Sequence, residues 1–276
     1  MNPHQRHPAT PSAMVLSLWH NRQLIIQMTR REVIGRYRGS IMGLAWSFFN
    51  PVLLLLVYTF VFSIVFKARW GTGAEESRAD FAILLFIGMI IHGVFSECVN
   101  RAPSLIVGNV SYVKKVVFPL QILPLVALGS ALFHAAVSIV VLLVAKLLVH
   151  GSVPWTLLFL PMALLPLLIG TLGIAWVLAA LGVFIRDIGQ ITSLLTTVLL
   201  FISPVFYPIS SLPAKYQQIL LLNPLTFVIE ESRRIMFFGT VPDFQGFLLA
   251  TGVSLLMSWA GFWWFQRTRK GFADVL

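Results

Sequence analysis

Residues 44–66 read Leu-Ala-Trp-Ser-Phe-Phe-Asn-Pro-Val-Leu-Leu-Leu-Leu-Val-Tyr-Thr-Phe-Val-Phe-Ser-Ile-Val-Phe, without a single charged side chain. As a helix rising about 1.5 Å per residue this stretch extends about 34 Å, enough to cross the hydrocarbon core of a bilayer. Pro51 near its start predicts a mild kink. Working outward, the same character returns at Phe81–Phe95, at 121–147 after an interfacial lead-in over 113–119, at Pro154–Phe184, at Ile191–Ser203 and at Phe244–Phe265. Pro119 and Pro124 mark the beginning of the third stretch, and Ala127, Ala131 and Ala135 place small side chains on one of its faces, suited to close helix packing. Pro161 and Pro166 interrupt the fourth, and Pro204, Pro208 and Pro213 break the fifth. Beyond those prolines lie two short apolar pieces, Ile219–Leu222 and Leu225–Ile229, separated by Asn223-Pro224 and too short to cross alone. They read as re-entrant or interfacial helices, permissible only where protein covers their backbone.

Composition supports this reading over the length of the chain. Hydrophobic residues make up 58% of it and charged residues 11%, whereas a soluble domain carries roughly a quarter charged residues. The net charge of +10 does not form a basic groove with interleaved aromatics, so nucleic acid is not an expected partner. The cations instead sit in clusters beside the apolar stretches, as suits an anionic membrane surface. Cys98 is the sole cysteine, which excludes an intramolecular disulfide and a cysteine-rich metal site. No secretory signal is expected at the start, because the first long apolar run is too long and lacks a small-residue cleavage site.

The N-terminal residues 1–13, with Pro3, Pro8 and Pro11, read as a disordered polar tail. Residues 14–43 mix Leu16, Leu18, Trp19, Ile25 and Val33 with Arg22, Arg30, Arg31, Arg36 and Arg38. This reads as one or two amphipathic helices on the cytoplasmic surface, the bland alternative being a solvated basic tail. Residues 44–276 then form the transmembrane domain, with 204–240 as its outer re-entrant region. Six crossings put the N-terminal segment, Arg101 with Lys114 and Lys115, Arg186, and Arg267 with Arg269 and Lys270 on one side. The excess of positive charge makes that side cytoplasmic. The opposite loops balance: Lys67, Arg69 and Arg78 against Glu75, Glu76 and Asp80, and Lys215, Arg233 and Arg234 against Glu230, Glu231 and Asp243. The fold class is therefore an all-α integral membrane protein with six transmembrane helices.

Nothing in the chain looks like a motor. No GxxxxGK[ST] phosphate loop occurs, and Arg186-Asp187 reads as a charged turn between helices rather than a catalytic pair. His92 and His134 fall within spans, where an ionisable group calls for a functional hypothesis. With no carboxylate in the middle of any span, a proton relay is poorly supported; neutral histidines hydrogen-bonded across helices fit better. Energy must then come from another polypeptide, acting on the cytoplasmic loops.

Five ordered motifs carry a resemblance. Arg36-Tyr37-Arg38-Gly39-Ser40-Ile41-Met42-Gly43-Leu44-Ala45-Trp46 with Asn50-Pro51 is the first. It is followed by Val113-Lys114-Lys115-Val116-Val117-Phe118-Pro119, Phe184-Ile185-Arg186-Asp187-Ile188-Gly189-Gln190, Ser203-Pro204-Val205-Phe206-Tyr207-Pro208, and Leu222-Asn223-Pro224. Together they resemble the permease subunits of type-2 ABC exporters for bacterial surface polysaccharides (capsule, O-antigen, teichoic acid), from about residue 30 to the end. The resemblance implies a homodimer working with two copies of a separate ATPase, which alone holds ATP and Mg, and an undecaprenyl- or phospholipid-linked polysaccharide as cargo. It implies no cofactor and no covalent chemistry in this subunit. It also implies that a short helix around Arg101–Asn109, with Ser104, Asn109, Lys114 and Lys115, docks on the ATPase, and that Arg30, Arg31, Arg36 and Arg38 lie by the membrane surface and a lateral gate.

From the residues alone, Arg36 and Arg38 either anchor on lipid phosphates or guide the pyrophosphate of the cargo. Lys114 and Lys115 set topology or touch the partner. Tyr58, Phe62 and Phe66 recur every four residues on one helical face, and Phe201, Phe206 and Tyr207 cluster near the outer end of the fifth stretch. They either line a glycan channel, stacking on the apolar faces of sugars, or pack against lipid and other helices. An exporter of drugs, lipids or other small amphiphiles, a membrane scaffold and a membrane enzyme are the competing classes. The last is disfavoured by the lack of paired carboxylates.

Overall fold

The computed structural model describes residues 8–65, 70, 77–114 and 118–276. Among them no strand occurs; every regular element is a helix. Helix α1 (Pro11–His20) starts where the Thr10 hydroxyl accepts the Ala13 N–H at 3.2 Å and proline occupies the first turn. Its first residues thus lie inside the stretch expected to be a disordered tail, because a threonine cap followed by proline is a sufficient start signal. Asn21 separates it from α2 (Arg22–Arg36), so the amphipathic segment is two helices. Helix α3 (Ala45–Tyr58) contains Pro51 and continues into the wider π-helical turns of Thr59–Val65. A capping box of Ser77 and Asp80 opens α4 (Arg78–Arg101), which outruns the expected Phe81–Phe95 at both ends.

After Arg101 the chain makes two small helices, α5 (Ser104–Val107) and α6 (Val110–Lys114). A 3₁₀ turn, Leu120–Ile122, leads into α7 (Leu123–His150), and another, Trp155–Phe159, leads into α8 (Leu160–Phe184). Helix α9 (Ile188–Ile202) is followed by the proline-rich break and by α10 (Ala214–Leu221) and α11 (Pro224–Arg233), which runs into π-helical Arg234–Phe238. Asp243 caps α12 (Phe244–Thr268), and α13 (Phe272–Val275) closes the chain.

Among the described residues five helices are long and apolar enough to cross a membrane: Ala45–Phe62, Ala79–Arg101, Leu120–His150, Trp155–Phe184 and Phe244–Val275. The expected fifth span is the exception. Ile188–Ile202 has 15 residues, about 22 Å of helix, and prolines stop it at Pro204 as its sequence implies. It begins just after the end of α8, and residues 204–205 at its far end lie beside Leu84 and Gly88 of α4.

The core lies where α4, α7 and α8 meet, with Leu84, Ile87, Ile91, Ile106, Ala179 and Val228 buried. Ala127, Ala131 and Ala135 are buried, as suits a close-packed face, and α7 runs beside α4. The tightest crossing joins α8 to α12. A Cβ added at Gly173 would lie 2.6 Å from the Met257 carbonyl oxygen and 2.7 Å from Ser258 Cα, so glycine lets the two backbones touch. Next to it Trp176 is fully buried, edge-on to Phe262 at 5.1 Å, and donates its indole N–H to the Gln121 carbonyl at 2.9 Å.

The α10–α11 region differs in detail from the expectation. Of the two short apolar pieces, the first is the C-terminal end of α10 and the second lies within α11; between them Asn223 caps α11, its side chain accepting the Leu225 N–H. Leu225, Val228 and Ile229 of α11 are buried against α4 and α8. The second piece is thus covered by protein, whereas Ile219, Leu221 and Leu222 of the first are exposed.

Candidate functional site: an ionic chain behind the N-terminal helices

Helices α1 and α2 do not simply rest on the bundle; polar side chains bolt them to it. Gln121 donates to the Ser17 hydroxyl at 2.8 Å, and Trp259 donates its indole N–H to the Ala9 carbonyl at 3.1 Å. At the far end of α2 the contacts become ionic. Arg36 Nη2 donates to Glu97 Oε1 at 2.6 Å, Glu97 Oε2 lies 3.1 Å from His134 Nδ1, and Tyr37 shares a 3.1 Å hydrogen bond with His134 Nε2. Burial holds the Tyr37 phenol above its ordinary pKa against the opposing pull of Arg36, so it is neutral at physiological pH. One turn further along α4, Arg101 Nη2 is paired with Glu32 of α2, while its Nη1 stops 3.9 Å from Glu97 Oε1. The result is a continuous chain, Glu32–Arg101–Glu97–Arg36, with His134 beside it.

A cavity of about 300 Å³ lies against this chain, between α3, α4 and α7. Its polar side carries Arg36, Tyr37, Glu97 and His134, and its opposite wall is apolar, with Leu54, Tyr58, Phe86 and Met89. A second cavity, about 680 Å³, opens on the other side of α2, bounded by Arg31, Glu32, Arg101, Ser104 and Asn109. Arg30, Arg31 and Arg38 are exposed and form no ion pair among the described residues. The four arginines grouped by sequence therefore separate into one committed to the bundle, Arg36, and three that face outward.

The turn after α4 joins this chain to the rest of the bundle. Arg101 belongs to the ionic chain, Ala102 and Pro103 are buried, and Leu105 and Ile106 anchor α5 beneath α8. A Cβ added at Gly182 near the end of α8 would lie 2.7 Å from both Cα and C of Pro103, so the turn is seated directly on the α8 backbone. Ser104 and Lys114 are exposed; the Ser104 hydroxyl donates to the Arg101 carbonyl at 2.9 Å, and Asn109 donates to the Leu105 carbonyl at 2.9 Å. Lys115 lies outside the described residues.

At the opposite end of the bundle the aromatics meet. Tyr58 neighbours Phe62 at 6.4 Å, Phe62 stacks on Phe206 at 5.5 Å, and Phe206 stacks on Phe201 at 5.5 Å, so two groups distant in sequence form one line. Phe201 is 61% exposed, while Phe62 and Phe206 are half-buried. Tyr207 leaves the line, because its hydroxyl donates to the carbonyls of Phe201 and Ile202 at 3.2 and 2.8 Å and caps the end of α9. Phe66 lies outside the described residues.

Three residues that sequence reasoning passed over matter here. Glu97 was hidden at the end of a span, and it supplies the carboxylate for His134 that the apolar stretches seemed to lack; His92, in contrast, donates Nε2–H to the Thr196 carbonyl at 3.0 Å as expected of a neutral cross-helix histidine. Glu32 was one acid in a run of arginines. Arg233 was counted only as one charge in a balanced loop, yet it is 1% exposed and donates to the carbonyls of Leu84, Pro204 and Val205 and to Glu230, at 2.6–3.0 Å. Burial presses its pKa down to about 10, with Glu230 opposing, so it stays charged. A span periodicity has no signal for any of the three; only their being the wrong polarity for their surroundings marks them.

The comparison with known proteins matches this arrangement to a family. The profile described as "ABC-2 type transporter" matches residues 23–237, from α2 to the turn after α11. The O-antigen export system permease protein RfbA of Myxococcus xanthus is 31% identical over 266 residues, covering 95% of this chain and 99% of that one. The RfbA of Klebsiella pneumoniae is 26% identical over 92% of this chain and 95% of its own. The polysialic acid transport protein KpsM of Escherichia coli is 25% identical over 77% of this chain and 81% of its own. With five helices among its described residues long and apolar enough to cross a membrane, no regular element other than helix among those residues, and a family match from α2 through the ionic chain and the turn after α4, the chain is a multi-pass membrane protein and belongs to the ABC-2 type transporter family.

Proposed function

We propose that this chain is the channel-forming subunit of an exporter that moves a lipid-linked surface polysaccharide outward across the bacterial inner membrane. What carries the reading is similarity along 95% of the chain to an O-antigen export permease. The geometry supports it by supplying mechanical parts in the right places. O-antigen and capsule relatives both match, so the class of cargo is an amphiphile with a long glycan head, an anionic linkage and a polyprenyl or phospholipid tail.

The energy comes from a separate ATPase, two copies of which hold ATP and Mg and clamp on nucleotide binding. Their push is received by the Arg101–Asn109 turn with Lys114 and Lys115. Because the turn sits on the Gly182 backbone and is ionically tied to α2, displacement there must move α8 and the N-terminal helices together. Only states of the channel that bind the ATPase differently are shifted in this way.

Two copies of the permease form the pathway. Helix α3 has the least support inside one chain: 6% of its most apolar window is buried, and Phe48, Leu53, Leu56 and Phe60 are exposed. Facing a second copy and lipid accounts for that surface. With α9 counted as a short sixth crossing, both termini lie in the cytoplasm and α10–α11 form a re-entrant cap at the outer mouth. The line Tyr58–Phe62–Phe206–Phe201 then offers stacking faces to passing sugars near that mouth.

Deletion of the gene in a bacterium with no redundant exporter tests the cargo: surface glycan is lost and lipid-linked glycan accumulates inside. Normal surface glycan with no accumulation refutes it. Topology is tested separately by impermeant thiol labelling of cysteines placed at Thr10 and Ala273. The native Cys98 is fully buried and does not interfere. Labelling of the two positions from opposite sides overturns the six-crossing arrangement.

A further inference from the structure

We infer that Glu97 is a built-in stand-in for the anionic group of the cargo, and that binding of a phosphate or diphosphate ester at Arg36 hands Glu97 over to Arg101. This rests on the reading of the chain as an exporter of an anionic lipid-linked glycan, and adds to it the internal competitor that regulates the site.

The cavity between α3, α4 and α7 is built for an amphiphile. One side offers donors, the Arg36 guanidinium, the Tyr37 hydroxyl and the His134 ring, and the other is an apolar wall beside Tyr58 and Met89. Two of the donors converge on one carboxylate: Glu97 takes Arg36 at 2.6 Å and faces His134 at 3.1 Å, while Tyr37 bonds the far nitrogen of His134. A carboxylate and a phosphate make the same demand on a guanidinium, so the two compete for it. Arg36 is 38% exposed and within reach of a ligand, whereas Glu97 is 22% exposed and is held on a rigid helix.

Displacement has somewhere to put the acid. Arg101 Nη1 is buried without a hydrogen-bond partner and sits 3.9 Å from Glu97 Oε1, inside ion-pair range but outside bonding range. A closure of about 1 Å makes that bond. Arg101 also holds Glu32 of α2 and opens the turn seated on Gly182. Occupation of Arg36 is therefore felt at the coupling turn through two carboxylates and one arginine. His134 Nδ1 sharpens the exchange, since it lies within 3.1 Å of both Arg36 Nη1 and Glu97 and cannot accept from one while donating to the other.

The experiment titrates farnesyl diphosphate into the full chain held in nanodiscs of phosphatidylcholine, for the native protein, Arg36→Gln and Glu97→Gln. Removing the competitor tightens binding about tenfold in Glu97→Gln, and removing the receptor weakens it by at least as much in Arg36→Gln. Weaker binding in Arg36→Gln with no tightening in Glu97→Gln overturns the stand-in role and leaves the anion site in place. No effect of either variant overturns the anion site itself. If Glu97→Gln does not elute as a folded species, Glu97→Asp, whose carboxylate is withdrawn by one methylene, must tighten binding about threefold, and an unchanged affinity there refutes the proposal. The same titration with excess phosphatidylglycerol in the nanodisc separates the sources of phosphate: abolition of the difference between variants assigns the site to bulk anionic lipid and overturns the cargo assignment.

Discussion

The two ends of the bundle are fastened by different chemistry. At the end that gathers α1, α2 and the turn after α4, the ties are ion pairs between side chains that are each partly exposed: Arg36 with Glu97 and Arg101 with Glu32. At the other end the ties are buried side chains clamped onto backbone carbonyls. Arg233 holds three carbonyls across α4 and the proline-rich break and lies 4.2 Å from the Trp70 ring centroid. Lys146 donates to the carbonyls of Met236 and Phe237 at 2.5 and 2.8 Å, and Thr156 donates to Ile235 at 2.7 Å. A side-chain pair has alternative partners at hand and exchanges at little cost; a carbonyl clamp has none, because the acceptor is fixed by the fold. One end is thus made to be rearranged, and the other to keep a broken stretch of helix in one shape.

The most direct way to break that contrast is to remove the clamp. Arg233→Leu leaves three carbonyls and Glu230 without their donor in a dry site. At about 1–3 kcal/mol for each stranded group, partly relieved by relaxation, the loss is about 4 kcal/mol or more. The expected outcome is loss of most of the folded protein, measured by thermal unfolding and gel filtration in detergent. Arg233→Lys should not restore it, since an ammonium cannot fork to donors on three sides.

Next in size is Gly182→Ala. Its methyl group has no room against the Pro103 backbone and either lifts the turn or shifts α8, at a cost of about 1–3 kcal/mol. On the proposed coupling through this turn, export and ATPase stimulation should fall by more than the stability loss explains. Gly252→Ala, where nothing lies within 4 Å, is the matched control and should leave both unchanged. Equal behaviour of the two variants refutes the mechanical role of the contact.

How far the sequence reveals this contrast follows from the kind of signal each end leaves. Apolar length is legible from composition alone, so the existence of the long helices is readable, as with Phe244–Phe265 inside α12, while their charged ends are not, as with α4 beyond Phe81–Phe95. The proline break after α9 was equally plain, because proline acts on its own backbone. What could not be read is which distant side chains meet. Arg36 was grouped with the interfacial arginines and Arg101 with the short helix around Arg101–Asn109, and nothing in their spacing shows that Glu97 lies between them. Arg233 looked like a loop charge because its pairing with Glu230 is local, while its three carbonyl contacts come from residues 28 to 149 positions away. Phe62 and Phe206 were expected in two separate aromatic groups, yet their stacking joins two segments that periodicity treats separately.

The ion pairs call for a subtler test, a double-mutant cycle on Glu32→Gln and Arg101→Gln. Partly exposed pairs are worth about 0.5–1 kcal/mol, so each single change should lower stability only slightly. The two should be non-additive by a similar amount. Arg36→Gln and Glu97→Gln should couple to that cycle through the shared carboxylate, whereas pairing either with Lys146→Met, on the other end, should be additive. Additivity throughout would show that the four charges do not act as one chain.

An effect of similar size is expected at the aromatic line. Phe62→Leu keeps apolar volume but removes the ring from the stacks on Phe206 and Phe81, at 5.5 and 6.2 Å. Stacked pairs of this kind contribute about 0.5–1.5 kcal/mol, so unfolding should shift by no more than a few degrees. Export distinguishes the two uses of the ring. If Phe62 only packs, export follows stability, and Phe206→Leu, which removes the same stack from the other side, has the same small effect. If the line is a sliding surface for sugars, Phe201→Leu should slow export although its side chain is the most exposed of the three and contributes least to the fold. A drop in export from Phe201→Leu without a change in unfolding temperature would place the glycan on that face, and an unchanged rate would return the whole line to packing.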